Sequence, residues 1–162
     1  MSRLAAALLC VMACAAPAES QELAVSASIY RPLGIDDLDG ELPPSAEIRF
    51  TIRLSDRFGL EPFVSVGWPD RSAGTQGFYG AQIRQRIVGL TSEDVYAFAT
   101  YGAAAYYSRY GSQSPVIGHF GFGIYRRVSR QLAFRPEVQL VSFHVIPIGV
   151  RFLAGLSADL GR

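Results

Sequence analysis

The chain has 162 residues, of which 18% are charged and 49% are apolar, and its formal net charge is +1. An ordinary soluble domain carries about 25% charged residues, so this composition predicts a folded chain with large apolar faces and argues against intrinsic disorder. A net charge near zero also argues against a nucleic-acid binder, which needs a basic surface for phosphates. All 15 basic residues are arginine, the side chain that pairs best with carboxylates in confined places.

The first 18 residues predict a secretory signal peptide that is removed from the mature chain. Arg3 supplies a short positive start, residues 4–16 are apolar, and residues 16–18 (Ala-Pro-Ala) offer small side chains at the positions that a signal peptidase reads. The apolar run is shorter than the ~20 residues that a membrane-spanning helix needs. We therefore expect one domain, residues 19–162, without a transmembrane helix.

Both cysteines, Cys10 and Cys14, lie inside this first segment. A mature chain without them has no disulfide and no thiol chemistry. An alternative stays open at this point, because residues 11–14 (Val-Met-Ala-Cys) can also be interpreted as a lipoprotein cleavage box. In that case Cys14 would carry an acyl chain and anchor the protein through lipid.

From Leu23 onward the apolar residues recur with a period of two, which predicts β-strands. The first strand, 23–30, alternates apolar residues with small or hydroxyl-bearing ones. The clearest strand is 46–54, which has one wholly apolar face and one wholly polar face. The remaining candidate strands are 60–68, 77–90, 95–107, 116–128, 132–140 and 148–160.

The eight candidate strands and the absence of a sustained helical period predict an all-β fold. Their connections alternate between long and short, which is typical of antiparallel neighbours in a barrel with loops at one end and turns at the other. We expect long connections at 31–45, 69–76 and 108–115, and short ones at 55–59, 91–94 and 129–131. An open sheet would leave two unpaired edges, so the predicted topology is an eight-stranded antiparallel up-and-down β-barrel.

Alternation alone does not decide whether the apolar faces line a core or contact lipid. A soluble eight-stranded barrel of the lipocalin type places apolar residues inside, and a transmembrane barrel places them outside. The polar faces carry charges of both signs, and several strands reach the ~9–11 residues needed to cross a bilayer, which favours a transmembrane barrel. We then expect an interior charge network formed by Glu47, Arg49, Arg53, Glu61, Arg84, Arg86, Arg135, Glu137 and Arg151.

The signal peptide, the eight alternating strands, the inward Arg and Glu residues and a late segment such as 132–140 (LAFRPEVQL) resemble the small outer-membrane β-barrels of Gram-negative bacteria. The resemblance is to the OmpA-like and OmpX-like proteins, covers nearly the whole mature chain and is architectural. It implies an integral protein of the outer membrane, surrounded by lipid, with its N-terminus and short turns in the periplasm. Such proteins usually end in an aromatic residue, whereas this sequence ends in Leu160-Gly161-Arg162.

The sequence offers little catalytic or metal-binding chemistry. Neither His119 nor His144 has a His, Cys or carboxylate at ligand spacing, so we expect no metal site and no cofactor. Ser142 and His144 share a strand face, and lipid A deacylases are barrels of similar size with His and Ser two residues apart. In that family the His comes first, and here no carboxylate is placed to orient the imidazole. An esterase using Ser142 and His144 is therefore a minor alternative to a protein without enzymatic activity.

Eight strands leave room inside a barrel for side chains and not for a channel, so we do not expect a general porin. We predict a monomer with a structural or loop-mediated interaction role, and no nucleic acid among its partners. The first long loop contains Asp36, Asp37, Asp39 and Glu41, which could bind cations or a protein partner. The alternative from another class is a secreted or lipid-anchored soluble barrel that binds an apolar small molecule.

Overall fold

The computed structural model describes residues 21–33, 44–67, 76–87, 94–108, 116–143 and 146–160. The predicted signal segment, its two cysteines and the acidic residues of the first loop lie outside these ranges. The described residues form eight strands: β1 (Gln21–Pro32), β2 (Ser45–Arg53), β3 (Phe58–Gly67), β4 (Gln76–Arg86), β5 (Val95–Ser108), β6 (Val116–Arg127), β7 (Leu132–Phe143) and β8 (Ile146–Asp159). Within the same ranges no helix is long and apolar enough to cross a membrane.

Each strand pairs antiparallel with its neighbours in sequence, and β1 also pairs with β8, so the sheet closes on itself. The closing seam is long, and its register runs from Glu22 opposite Asp159 to Pro32 opposite Gly149. Closure gives hydrogen-bond partners to the two strands that would otherwise be sheet edges. The predicted eight-stranded up-and-down barrel is therefore confirmed.

Most strand ends differ from the predicted ones by one or two residues, and the larger differences are at the ends of β4 and β7. β4 ends at Arg86, so the connection to β5 spans 87–94 and is longer than the predicted turn at 91–94. Residues 87–90 (Ile-Val-Gly-Leu) are apolar at adjacent positions, so a period of two gives no signal for the end of this strand. At the opposite end of the barrel, only residues 144–145 separate β7 from β8.

Two of the short connections are built in the same way, around a serine. In the turn 54–57 the N–H of Ser55 donates to the carbonyl of Phe58 at 3.1 Å, and the Ser55 hydroxyl accepts from the Phe58 N–H at 3.1 Å. Ser129 and Leu132 repeat these two bonds at 3.0 and 3.1 Å. A serine hydroxyl that bonds the backbone in this manner stabilises a tight turn. We name the end with connections 54–57, 87–94 and 128–131 the turn end, and the opposite end the loop end.

The apolar faces of the strands point outward and the polar faces point inward. Val25, Ile48 and Phe122 lie mid-strand and are 51%, 48% and 55% exposed, whereas Glu47 and Arg49 are 0% and 2% exposed. A soluble barrel of the lipocalin type would show the reverse arrangement. The question that alternation left open is thus answered by the structure, in favour of an apolar exterior.

Two apolar clusters lie inside the barrel, one toward each end. The cluster nearer the loop end contains Phe63, Phe78, Ala104, Ile117 and Val141, with Tyr30 packed against it. The cluster nearer the turn end contains Phe98, Tyr125 and Ala133, with Tyr96 packed against it. Phe63 is two residues beyond Glu61 on β3, and Ala133 is two residues before Arg135 on β7, so the clusters flank the buried charges along the barrel.

Candidate functional site

The described interior contains four arginines and four glutamates that form ion pairs with one another. They come from β1, β2, β3, β4, β7 and β8, and each is buried. The members of this interior charge network are Glu22, Glu47, Glu61, Glu137, Arg49, Arg84, Arg135 and Arg151. Their formal charges cancel, as a narrow interior of low polarisability requires.

Glu61 on β3 is the most highly connected acid of the network. Its carboxylate oxygens lie 3.1 Å from Nη2 of Arg135 and 3.3 Å from Nε of Arg84. The Thr51 hydroxyl donates to the same carboxylate at 2.9 Å, and the Gln82 amide donates to it at 2.7 Å. Both oxygens of this fully buried carboxylate are therefore satisfied, which is the condition for keeping an ionised group inside a protein.

Arg49 on β2 links the network across the barrel. Its Nη1 lies 2.5 Å from Oε2 of Glu137 on β7 and 3.8 Å from Oε2 of Glu61, and its Nε donates to Glu47. The other oxygen of Glu137 accepts from the Thr100 hydroxyl at 2.6 Å and from the Gln139 amide at 2.7 Å. Charge-assisted bonds of this kind are the strong ones, so they connect β2 and β5 to β7 through the carboxylate of Glu137.

Glu22 on β1 also belongs to the network, although it is not among the residues predicted from the sequence. Its oxygens lie 3.1 Å from Nη2 of Arg84 and 3.5 Å from Nη1 of Arg135. The alternation along β1 could have identified it. Leu23 is the first apolar residue of the outer face, so the preceding residue, Glu22, lies on the inner face. Arg135 is further held over the ring of Phe98, at 5.1 Å.

Three uncharged polar side chains, those of Gln82, Gln139 and His119, extend the network toward the loop end. His119 Nε2 donates to Oε1 of Gln82 at 2.8 Å, and Nε2 of Gln139 donates to the same oxygen at 3.3 Å. The His119 ring also packs edge-on against Phe63, with the centroids 5.7 Å apart. This histidine therefore has a structural environment of polar and aromatic neighbours inside the barrel.

Arg151 on β8 forms a separate branch of the network with three serines. Its Nη1 lies 2.6 Å from Oε2 of Glu47. Its Nη2 donates to the hydroxyls of Ser28 at 2.9 Å, Ser65 at 3.2 Å and Ser45 at 3.5 Å. Small hydroxyl side chains on β1, β2 and β3 thus leave the space that this long arginine fills.

A glycine on β6 makes room for the largest fully buried side chain of the turn-end cluster. A Cβ atom added to Gly123 would lie 2.3 Å from Cζ of Phe98 and 2.7 Å from the carbonyl oxygen of Pro136. Atoms at these distances would overlap, so the position requires glycine. The Phe98 ring therefore lies directly against the backbone of the neighbouring strand, on the turn-end side of Arg135.

A cavity of about 420 Å³ opens at the turn end, and we call it the mouth. Glu22 and Arg84 form its inner part, and Tyr96 and Tyr125 are stacked in its wall with centroids 4.6 Å apart. Residues from the ends of the strands and from the turn 54–57 complete the lining. They are Arg53, Ser55, Asp56, Arg57, Phe58, Gly59, Arg86 and Arg127.

Seven of the nine residues predicted for the interior network lie within it, and two do not. Arg53 and Arg86 line the mouth, where Arg53 is exposed and Arg86 is partly exposed. The prediction was wrong for these two because both are the last residues of their strands. Both residues are on the inner face of their strands, but they lie at the turn end, where the barrel is open to solvent.

The alternative catalytic pair is only partly described. The Ser142 hydroxyl donates to the carbonyl oxygen of Gly118 at 3.4 Å, next to a register shift between Val141 and Ser142. His144 lies outside the described residues, so the pairing of Ser142 with His144 stays a prediction.

No protein-family model and no curated protein sequence matches the chain. Neisserial surface protein A is 13% identical with a TM-score of 0.62, and the match covers 86% of this chain and 96% of that one. The N-terminal β-barrel domain of Pseudomonas aeruginosa OprF is 10% identical with a TM-score of 0.62, over 85% of this chain and 96% of that one. A de novo designed transmembrane β-barrel is 16% identical with a TM-score of 0.54, over 86% and 94%. The chain therefore has the fold of small outer-membrane barrels, and the predicted architectural resemblance is confirmed.

Replacing Glu61 with Gln tests the energetic importance of the network. The substitution removes the charge that Arg84 and Arg135 share, so we expect the free energy of unfolding to fall by about 3–5 kcal/mol, as for other broken buried ion pairs. The measurement is urea denaturation in detergent micelles, followed by circular dichroism. Asp56→Asn removes the same charge from an exposed turn and should change the free energy by less than about 0.5 kcal/mol. Equal effects of the two substitutions would contradict a buried network.

Proposed function

We propose that this protein is an integral outer-membrane β-barrel, monomeric and without enzymatic activity, that acts through its structure or through its loops. The observation that carries the proposal is the combination of a charged, buried interior with an exterior of exposed large apolar side chains. The exposed apolar side chains of the described strands include Leu23, Val25, Ile29, Ile48, Val66, Phe120, Phe122, Ile124, Val138, Leu140, Phe152 and Leu156. A surface of this kind is stable in a hydrocarbon environment and costly in water.

The alternative of a soluble barrel with an apolar ligand has less support. Such a protein needs an apolar inner surface around an open cavity. Here the middle of the barrel is occupied by eight ionised side chains and by the amides of Gln82 and Gln139. An apolar ligand would have to displace paired charges, which is unfavourable.

Ile48→Arg distinguishes a lipid-facing exterior from a water-facing one. Ile48 lies mid-strand beside Val25 and Val64 on the outer face, so in phosphatidylcholine vesicles an arginine there should lower the free energy of unfolding by about 2–4 kcal/mol. Leu54, at the turn end, is 59% exposed. The control variant Leu54→Arg should cost only about 0–1 kcal/mol, because the bilayer interface tolerates charge. Two equally small effects would contradict a membrane-embedded barrel.

The filled interior supports a role other than a general porin. Along the barrel axis, solutes would meet the aromatic cluster around Phe98, then the paired charges, and then the cluster around Phe63. We expect vesicles containing the folded protein to take up arabinose no faster than protein-free vesicles in a swelling assay. A vesicle preparation with a known porin is the positive control. Uptake proportional to the amount of protein would contradict a plugged barrel.

A loop-mediated role requires that the connections of the loop end lie at the cell surface. These connections span 33–44, 68–75 and 109–115, whereas a fourth connection of comparable length, 87–94, lies at the turn end. We expect the protein to stay in the outer-membrane fraction after carbonate washing. Protease added to intact cells should cleave only within these connections, because the strands are protected by lipid. Release of the protein by carbonate, or cleavage only after the outer membrane is permeabilised, would contradict this placement.

A further inference from the structure

The mouth at the turn end carries an excess of positive charge, in contrast to the balanced interior. Within the described ranges of the chain, five arginines and two acidic residues line it. Two of these arginines have carboxylate partners: Arg84 pairs with Glu22 at 3.1 Å, and Arg127 pairs with Asp94 at 3.5 Å. Among the described residues, no carboxylate forms an ion pair with the other three, which are Arg53, Arg57 and Arg86. Asp56 is the one acidic residue besides Glu22 in the part of the lining that the structure describes, and this part has a net positive charge.

These guanidinium groups come from different elements and meet at one concavity. Arg53 ends β2, Arg57 belongs to the turn 54–57, and Arg86 ends β4. Neighbouring arginines show that this convergence is not a general property of the turn end. Arg126 and Arg130 are also exposed at this end, but neither lines the mouth.

An aromatic wall positions one of these arginines. The guanidinium of Arg86 lies 4.5 Å from the centroid of the Tyr96 ring, which stacks in turn on Tyr125. A cation–π contact holds the flat face of the guanidinium and leaves the N–H groups at its edge free to donate. Arg86 is therefore oriented before any ligand arrives, which lowers the entropy lost on binding.

The chemistry of the mouth matches one class of ligand. Guanidinium groups bind carboxylate and phosphate oxygens through paired, charge-assisted N–H bonds. The volume of about 420 Å³ falls in the range of small-molecule sites, about 300–1,000 Å³. We propose that the mouth binds a small molecule or head group that carries at least two anionic oxygen groups of the phosphate or carboxylate class.

The exposure of these arginines determines how the affinity should depend on the charge of the ligand and on the salt concentration. Arg53 and Arg57 are exposed, and single exposed ion pairs contribute little, so a ligand with one charge should bind weakly. A ligand that spans several arginines gains multiple contacts. Because exposed charges are screened over about 8–10 Å at physiological salt, the affinity should fall as the salt concentration rises.

The experiment is a calorimetric titration of inorganic pyrophosphate into the full chain, folded in uncharged maltoside micelles. We expect saturable binding at one site, weakened at least about tenfold in the double variant Arg53→Gln/Arg57→Gln, which loses two charge-assisted contacts. The matched control is Arg126→Gln/Arg130→Gln, which removes the same charge at the same end but outside the mouth. It should bind within about twofold of the unmodified protein. Circular dichroism establishes that both variants are folded.

Two outcomes would overturn the proposal. One is the absence of saturable binding by the unmodified protein at low salt. The other is an equal loss of affinity in both double variants, which would show that pyrophosphate responds to the overall charge of the turn end and not to the mouth.

A second arm of the experiment identifies the source of the anion. The titration is repeated in nanodiscs of phosphatidylcholine with and without cardiolipin, whose head group carries two phosphates. Competition by cardiolipin that disappears in the Arg53→Gln/Arg57→Gln variant supports a lipid head group as the occupant. Pyrophosphate binding that is unchanged by cardiolipin supports a free anion from solution.

Discussion

Charges buried inside a narrow barrel must be paired, and this requirement explains most of the interior of the protein. Eight strands enclose a space that side chains fill, and an ion left there without a partner would cost several kcal/mol. Each arginine of the network therefore meets a glutamate from another part of the chain, and Arg49 and Glu137 are 88 residues apart in sequence. The contacts that neutralise the charges are thus the same contacts that hold opposite walls of the barrel together.

The same constraint accounts for the residues around the network. Thr51 and Gln82 add hydrogen bonds to the carboxylate of Glu61. Thr100 and Gln139 donate to the oxygen of Glu137 that Arg49 does not contact. Small residues on the inner face, such as Gly123, provide the volume that Phe98 and the long arginines occupy. The side chains of these residues therefore fill the middle of the barrel.

The two ends differ in what they present to their surroundings. At the turn end the balanced charges of the interior give way to a solvent-open mouth, in which Arg53, Arg57 and Arg86 are not neutralised by described carboxylates. The stacked rings of Tyr96 and Tyr125 form part of the wall of this mouth. The loop end carries three of the four connections that have seven or more residues. The proposed anion site and the proposed partner loops therefore lie at opposite ends of the filled barrel.

The number of strands, their antiparallel order and the residues that share the inner face could be predicted from the sequence, because the alternation of side chains along a strand is a local property of the backbone. Charges of both signs on that face, as at Glu47 and Arg49, also favoured a polar interior. Which inner-face residues contact one another depends on the folded barrel. The stagger between strands sets the depth of each position in the barrel, and no local pattern records it. For this reason Glu22 joins Arg84 and Arg135 in the network, while Arg53 and Arg86, with the same alternation, lie at the mouth.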